Sequence, residues 1–178
     1  MKKTILVFPA LFVLCFVFSA AQTKPEKLTV TSPAFKHGKM IPGKYTCKGE
    51  NVSPEINWTG APKGTKSFVL ICDDPDAPSG TWVHWVVYNI PADVTKLDEN
   101  FPKIPALKNG IKQAKTSFGS HGYGGPCPPS GTHRYYFKIY AINKLLTLDP
   151  KKSTKKEVLK AMEGSITGYG ELMGMFGK

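Results

Sequence analysis

Residues 67–90 read SFVLICDDPDAPSGTWVHWVVYNI, and they predict two strands joined by a short acidic turn. The runs at 67–73 and 84–90 are almost continuously apolar, which favours central positions in a sheet. Pro75 and Pro78 cannot continue strand pairing, so they hold the turn in a fixed conformation where the sheet ends. This stretch therefore predicts a β-rich core with carboxylates gathered at one end.

On either side of this stretch, short apolar runs alternate with glycine and proline, which is typical of a β-sandwich or barrel. A third clear strand is predicted at 135–142, and weaker strands at 28–31 and 55–58. Long loops are expected at 91–115 and 116–132, because these segments are irregular and polar or rich in glycine and proline.

Helical structure is expected only near the C-terminal end. Thr154 and Glu157 have the spacing of a capping box just before an apolar run that begins at Val158. A second short helix is predicted over 165–175, although its glycines disfavour helix. From the residues alone, the fold class is mainly β with a short C-terminal helical segment.

The N-terminal residues have the order of a secretory signal peptide. Lys2 and Lys3 precede an apolar run over 5–18, and small residues follow, so cleavage is expected after Ala21. The run is shorter than the roughly 20 residues that a membrane-spanning helix needs, and an uncleaved anchor is the alternative. We therefore expect export, either to the periplasm or as a secreted protein.

The expected division of the chain is a cleaved signal peptide at 1–21, a polar lead-in at 22–27 and one domain at 28–178. Cleavage leaves 157 residues, which is the length of one domain. A chain of that length can bury a hydrophobic core without metal or disulfide cross-links.

The basic charge does not suggest a nucleic-acid partner. The formal net charge is +11, or +9 after cleavage, and Arg134 is the only arginine among 24 basic residues. Proteins that read nucleic acid usually cluster their charge and favour arginine. The scattered lysines aid solubility, and at most a weak association with anionic membrane surfaces is expected.

Three cysteines remain after cleavage, namely Cys47, Cys72 and Cys127. None forms a C-x-x-C pair, so a zinc knuckle is not expected. An odd number in an oxidising compartment favours one disulfide and one free thiol. Cys72 lies in a predicted central strand, where free cysteine behaves as a small hydrophobe. We therefore predict a Cys47–Cys127 disulfide, with three free thiols as the alternative.

Two further segments carry candidate chemistry beside the acidic turn. In the strand that begins WVHW, period-two alternation puts Trp82 and His84 on one face, and Val83 and Trp85 on the other. In the segment GTHRYY at 131–136, the same rule makes the side chains of residues 133 and 135 point together. Each segment alone has an ordinary structural explanation, such as a charged turn or a core histidine.

Together, the segments DPDAP at 74–78, WVHW at 82–85 and PPSGTHRY at 128–135 closely resemble the phosphatidylethanolamine-binding protein family. The resemblance is greatest to its bacterial branch, the Raf kinase inhibitor-like proteins, and extends over about 28–178. It implies an antiparallel β-sandwich whose two sheets pack face to face, with a C-terminal helix beside a pocket for phosphate-like and other small anions.

The family pocket, carried over residue by residue, gives the candidate ligand-binding set. Its walls would be Asp74, Trp82, His84, His133 and Tyr135, and its rim would be Pro128 with the backbone of Gly124 and Gly125. Histidine and tyrosine donate hydrogen bonds to an anion. Asp74 is instead expected to accept an N–H from a histidine and fix its tautomer.

The resemblance implies a binding protein for a small anionic or phosphorylated ligand, able to regulate an unidentified protein partner through loops around the pocket. No cofactor and no metal are expected. The alternative is a hydrolase in which His84, His133 and Asp74 perform acid–base chemistry. Binding is favoured because no G-x-S-x-G, H-E-x-x-H or P-loop pattern occurs. Metal binding by His84, His133 and Asp74 is a third hypothesis.

Overall fold

The computed structural model describes residues 24–177, so the predicted signal peptide and its cleavage site lie outside the described residues. Within that range there are one α-helix, α1 at Lys155–Met162, one 3-10 turn at Gly43–Tyr45, and ten strands. The strands are β1 Glu26–Lys27, β2 Thr29–Thr31, β3 Lys39–Met40, β4 Ile56–Thr59, β5 Ser67–Asp74, β6 Trp82–Pro91, β7 Lys96–Leu97, β8 Lys112–Gln113, β9 Thr132–Ile142 and β10 Ile166–Gly177. No helix in this part of the chain is long and apolar enough to cross a membrane.

The strands form two sheets. The larger has the order β1-β10-β9-β5-β6-β8, with β3 also paired to β10, and the smaller has the order β2-β4-β7. The long strands pair antiparallel, and only the short β1 and β3 run parallel to β10. The predicted mainly β, antiparallel sandwich with a short helix near its C-terminal end is confirmed.

The main hydrophobic core lies between the two sheets. Ile56 and Trp58 of β4 and Leu97 of β7 meet Leu70 of β5 and Phe137 of β9 in one cluster of buried side chains. The period-two alternation of β9, in which every second residue from His133 to Ala141 is buried, supplies much of this surface. This face of the large sheet also carries the candidate site at one end.

A second core covers the opposite face of the large sheet. Val158 and Met162 of α1 pack there against Val69 and Ile71 of β5 and Val86 of β6. Thr154 caps the helix: its side chain accepts the N–H of Lys156, while Glu157 accepts the N–H of Thr154. The capping box is present as predicted, and it stabilises a helix of only eight residues.

The predicted second helix at 165–175 is wrong, because this segment is the long strand β10. Every second residue from Gly168 to Phe176 is buried, which is a strand period. Glycine allows the close approach that β10 requires: a Cβ on Gly170 would lie 2.3 Å from the carbonyl oxygen of Leu28. The glycines that disfavour a helix here thus allow a neighbouring segment to approach the backbone of β10 closely.

Candidate functional site

Three neighbouring strands of the large sheet bring the candidate side chains to one end of the sandwich. Asp74 ends β5, Trp82 and His84 begin β6, and His133 and Tyr135 begin β9. Because β5 is antiparallel to both β6 and β9, its last residue meets the first residues of its two neighbours.

A β-bulge in β6 decides which way these side chains point. Cys72 pairs with Trp85 and Asp73 pairs with Val83, so His84 is an additional residue on β6. Val83 packs against the helix-side core, whereas Trp85 belongs to the core between the sheets. Trp82 and His84 do share a face, as predicted, but the prediction that Trp85 lies opposite them with Val83 is wrong.

The two carboxylates at the end of β5 have different surroundings. The buried carboxylate of Asp73 accepts hydrogen bonds on the helix side from Lys138 Nζ at 2.8 Å and from Lys155. Asp74 lies on the other face, where its Oδ2 is 2.8 Å from His133 Nδ1 and its Oδ1 accepts the N–H of Asp76. Asp74 therefore orients His133, and both of its oxygens are engaged.

His84 is held by the glycine-rich loop that precedes β9. Its Nδ1 lies 2.6 Å from the carbonyl oxygen of Gly124, whose N–H donates in return to the carbonyl oxygen of His84. Since a carbonyl only accepts, Nδ1 carries the proton and Nε2 is the nitrogen left for a ligand. Burial lowers the pKa of His84 below its usual 6.5, against the opposing effects of the Gly124 carbonyl and Asp74.

Tyr135 supplies a buried donor. Its hydroxyl has no hydrogen-bond partner of ordinary geometry among the described residues, and its ring meets His84 edge to face at 5.2 Å. Burial, followed by the negative charge of the nearby Asp74, raises the pKa of this phenol well above 10. The group is therefore a protonated O–H at neutral pH. Because it makes no hydrogen bond of ordinary geometry and meets only the carboxylate of Asp74, whose oxygens already accept from His133 and Asp76, it can donate to a ligand acceptor.

These groups surround a cavity of about 260 Å³. Six of the eight predicted ligand-binding residues line it: Asp74, Trp82, His84, Pro128, His133 and Tyr135. Their role in binding stays a prediction. Neither Gly124 nor Gly125 lines the cavity. The N–H of Gly125 donates to Asn51 Oδ1, and a Cβ there would lie 2.4 Å from the carbonyl oxygen of Tyr45.

Sequence reasoning missed one wall of the cavity. Phe118 meets the rings of Trp82 and His84 edge to face, with centroids 5.4 Å apart in both pairs. A Cβ on Gly124 would lie 2.4 Å from the Phe118 ring, so glycine there admits the aromatic wall. An apolar aromatic within a polar, glycine-rich loop was the available signal. Ala77, Pro78, Ser79, Cys127 and Pro129 complete the lining.

The rim segment is attached by a disulfide. Cys47 and Cys127 are joined, as predicted, and their Cα atoms are 5.4 Å apart. Cys127 itself lines the cavity and directly precedes Pro128. Cys72 is free and buried in β5, also as predicted.

Two other features of residues 24–177 bear on the choice of site. No group of three His, Cys, Asp or Glu side chains there is arranged to hold a metal ion. A larger groove of about 730 Å³ lies between α1 and the segment 115–117, and its lining contains four lysines and one glutamate but no histidine. The smaller cavity is therefore the candidate site.

Comparison with known families agrees with this arrangement. The family model for the phosphatidylethanolamine-binding protein matches residues 31–177. This chain belongs to the phosphatidylethanolamine-binding protein family. The match spans both sheets from the end of β2 onward and includes every residue of the candidate site.

Curated relatives in this family come from archaea and bacteria. The UPF0098 protein of Methanothermobacter thermautotrophicus is 49% identical over 149 residues, which are 84% of this chain and 98% of that protein. The UPF0098 protein of Aquifex aeolicus is 48% identical over 151 residues, covering 84% of this chain and 88% of that protein.

Solved structures share the fold. A putative phosphatidylethanolamine-binding protein homologue from Chlamydia trachomatis superposes with a TM-score of 0.78 at 39% identity, covering 86% of this chain and 99% of that one. The Escherichia coli protein YbcL, described as a new member of the mammalian family, has a TM-score of 0.78 at 33% identity, covering 85% and 98%.

Proposed function

We propose that this protein is an exported, non-enzymatic binding protein for a small anionic or phosphorylated ligand. The ligand's charged group occupies the cavity beside His84, His133 and Tyr135, and Asp74 holds His133 in position. The observation that carries the proposal is the Tyr135 hydroxyl. It is a buried donor that makes no hydrogen bond of ordinary geometry among the described residues, although it interacts with the carboxylate of Asp74, and it lines the same cavity as two buried histidines.

The cavity size favours a headgroup over a whole lipid. Its volume of about 260 Å³ is below the roughly 300–1,000 Å³ of pockets that enclose drug-sized ligands. Trp82, Phe118 and Pro128 give part of its lining an apolar surface, which suits a short organic group attached to the anion. Acyl chains would have to remain outside.

The engagement of the polar groups favours binding over hydrolysis. Both oxygens of Asp74 and the Nδ1 atoms of His84 and His133 are used in hydrogen bonds within the protein. Ser79 is an exposed lining residue, and no hydrogen bond among the described residues joins it to either histidine. An activated nucleophile would need such a bond to a general base.

A protein partner would meet the pocket at its rim. Trp82 and Phe118 are 37% and 46% exposed and their rings are in contact, and large aromatic side chains are favoured anchors of interfaces. Ligand occupancy beneath these rings would then regulate the partner's access to them.

Export is supported by two separate features. The N-terminal sequence has the order of charged, apolar and small residues found in signal peptides. The Cys47–Cys127 disulfide is of the kind that persists outside the reducing cytosol.

Titration calorimetry with phenyl sulfate, an anion of fixed charge, tests the proposed site. We expect tighter binding at pH 6 than at pH 8, since a histidine that gains a proton becomes a donor to the anion. We expect His133→Ala to weaken binding by about 1.5–3 kcal/mol, the usual worth of a hydrogen bond to a charged group.

Lys156→Ala is the matched control, because Lys156 is exposed and lines the groove on the other face of the large sheet. It should leave the affinity unchanged. Binding that survives His133→Ala, or that Lys156→Ala weakens equally, would move the anion site away from this cavity.

A further inference from the structure

Resting on the proposed function, we infer that the pocket binds a phosphoryl group together with one proton, shared between His84 Nε2 and a ligand oxygen. The preferred ligands are therefore acid phosphomonoesters, R–O–PO3H⁻, over sulfate esters of the same shape and charge.

The tautomer of His84 is fixed by its surroundings. Nδ1 lies 2.6 Å from the carbonyl oxygen of Gly124, which requires N–H at that position. The ring stands edge to face with Phe118 at 5.4 Å and with Tyr135 at 5.2 Å. Turning the ring over would break the bond to Gly124 in a site where His84 is only 3% exposed. Neutral His84 thus offers the ligand a lone pair on Nε2.

The charges around His84 do not make it a cation in the free protein. Asp74 and Asp73 at the end of β5 favour the charged form, and His133 and Tyr135 of β9 line the same cavity. Burial outweighs these carboxylates and lowers the pKa of His84. In neutral solution a fully deprotonated anion would therefore meet a lone pair, which is repulsive unless a proton enters with it.

A phosphomonoester can bring that proton, whereas a sulfate ester cannot. The second ionisation of a phosphomonoester has a pKa of about 6, so its monoanion retains one P–O–H. That hydroxyl can donate to Nε2 while the other oxygens accept from Tyr135 O–H. The complex has the same composition if the proton moves to Nε2 and the phosphoryl group becomes a dianion. A sulfate ester carries no proton in this pH range, so the proton in its complex has to come from the solvent and bind to His84.

Phenyl phosphate and phenyl sulfate form a matched pair for the test, with affinities measured by calorimetry from pH 5 to pH 8. Between pH 7 and pH 8 both should weaken by about tenfold, the dependence expected for one proton taken up. Below about pH 6 the phosphate curve should level off, because the ligand already carries its proton. The sulfate curve should keep rising toward the lowered pKa of His84.

The number of protons is measured directly by repeating the titrations in two buffers of different ionisation enthalpy. We expect an uptake of about one proton for either ligand at pH 8 and a smaller uptake for phenyl phosphate at pH 5.5. Identical curves and uptake for the two ligands would refute the shared proton while leaving the anion site intact. Failure of both ligands to bind would instead remove the proposed function.

Variants assign the proton to one residue. His84→Gln replaces the titrating nitrogen, and His84→Asn keeps an N–H donor for the Gly124 carbonyl and protects the fold. In both, proton uptake with phenyl sulfate at pH 8 should fall by most of its value. Tyr135→Phe should weaken both ligands without changing the uptake. An uptake that persists in both His84 variants would assign the proton to another group and contradict the inference.

Discussion

The carboxylate of Asp76 accepts three hydrogen bonds from Arg134, one from its backbone N–H and two from its guanidinium, at 2.6–2.9 Å. This pair joins the acidic turn to the beginning of β9. It therefore sets the distance between Asp74, two residues before Asp76, and His133, the residue before Arg134. The fork geometry of this pair is specific to arginine, and Arg134 is the chain's only arginine.

The Asp76–Arg134 pair should make stability depend on acid pH. Hydrogen bonding to Arg134 lowers the pKa of Asp76 from 3.8 to about 2. The folded pKa is the lower one, so the stabilisation is complete above pH 3.8 and is lost as pH falls toward 2. Arg134→Gln should destabilise the protein at pH 5 and reduce the fall in stability between pH 5 and pH 2. Urea unfolding midpoints at both pH values measure this.

Lys108→Gln removes the same charge from an exposed position and serves as its control. It should leave the difference between the pH 5 and pH 2 midpoints as in the unaltered protein. The pairing would have no energetic consequence if Arg134→Gln and Lys108→Gln gave the same pH dependence.

Thiol accessibility should separate Cys72 from the disulfide. In a chain that begins at Gln22, no thiol should react readily with a disulfide reagent at pH 8, because burial, reinforced by Asp73, raises the pKa of Cys72. One thiol should react after unfolding in guanidinium, and three after reduction as well. Three reactive thiols in unfolded, unreduced protein would contradict the Cys47–Cys127 bond.

Removing the disulfide should destabilise the fold substantially. The bond closes a loop with a sequence separation of 80 residues, for which the chain-entropy relation gives about 4.5 kcal/mol. The Cys47→Ser, Cys127→Ser double variant should lower the free energy of unfolding by up to this amount in urea titrations. A change of less than about 1 kcal/mol would fall below the usual range for native disulfides.

Gly170→Ala tests why β10 is so rich in glycine. The added Cβ would lie 2.3 Å from the carbonyl oxygen of Leu28, next to the bond from Leu28 N–H to the carbonyl of Tyr169. We expect a loss of about 1–3 kcal/mol, as for other overpacked sites. Gly43→Ala is the matched control, since its Cβ would meet nothing within 4 Å. Equal unfolding midpoints for the two variants would show that this close approach can relax.

The sequence by itself determined the strands whose core face is apolar and the side chains brought to their ends. The runs predicted at 67–73, 84–90 and 135–142 correspond to β5, β6 and β9. Their apolar side chains favour burial, and central strands of a sheet with both faces covered provide it. Adjacent antiparallel strands then bring Asp74, His84 and His133 to one edge. The family motifs overlap the ends of these same strands, so fold and candidate site were predicted together.

Tertiary structure alone decided the features that depend on a partner strand. The bulge at His84, which turns Trp85 toward the core between the sheets, exists only in the register between β5 and β6. Strand β10 forms because β9, β1 and β3 pair with it, although its glycines favour no local structure. Phe118 reaches His84 because Gly124 leaves room for its ring. Each of these depends on residues distant in sequence, whereas periodicity reports only the surroundings along one strand.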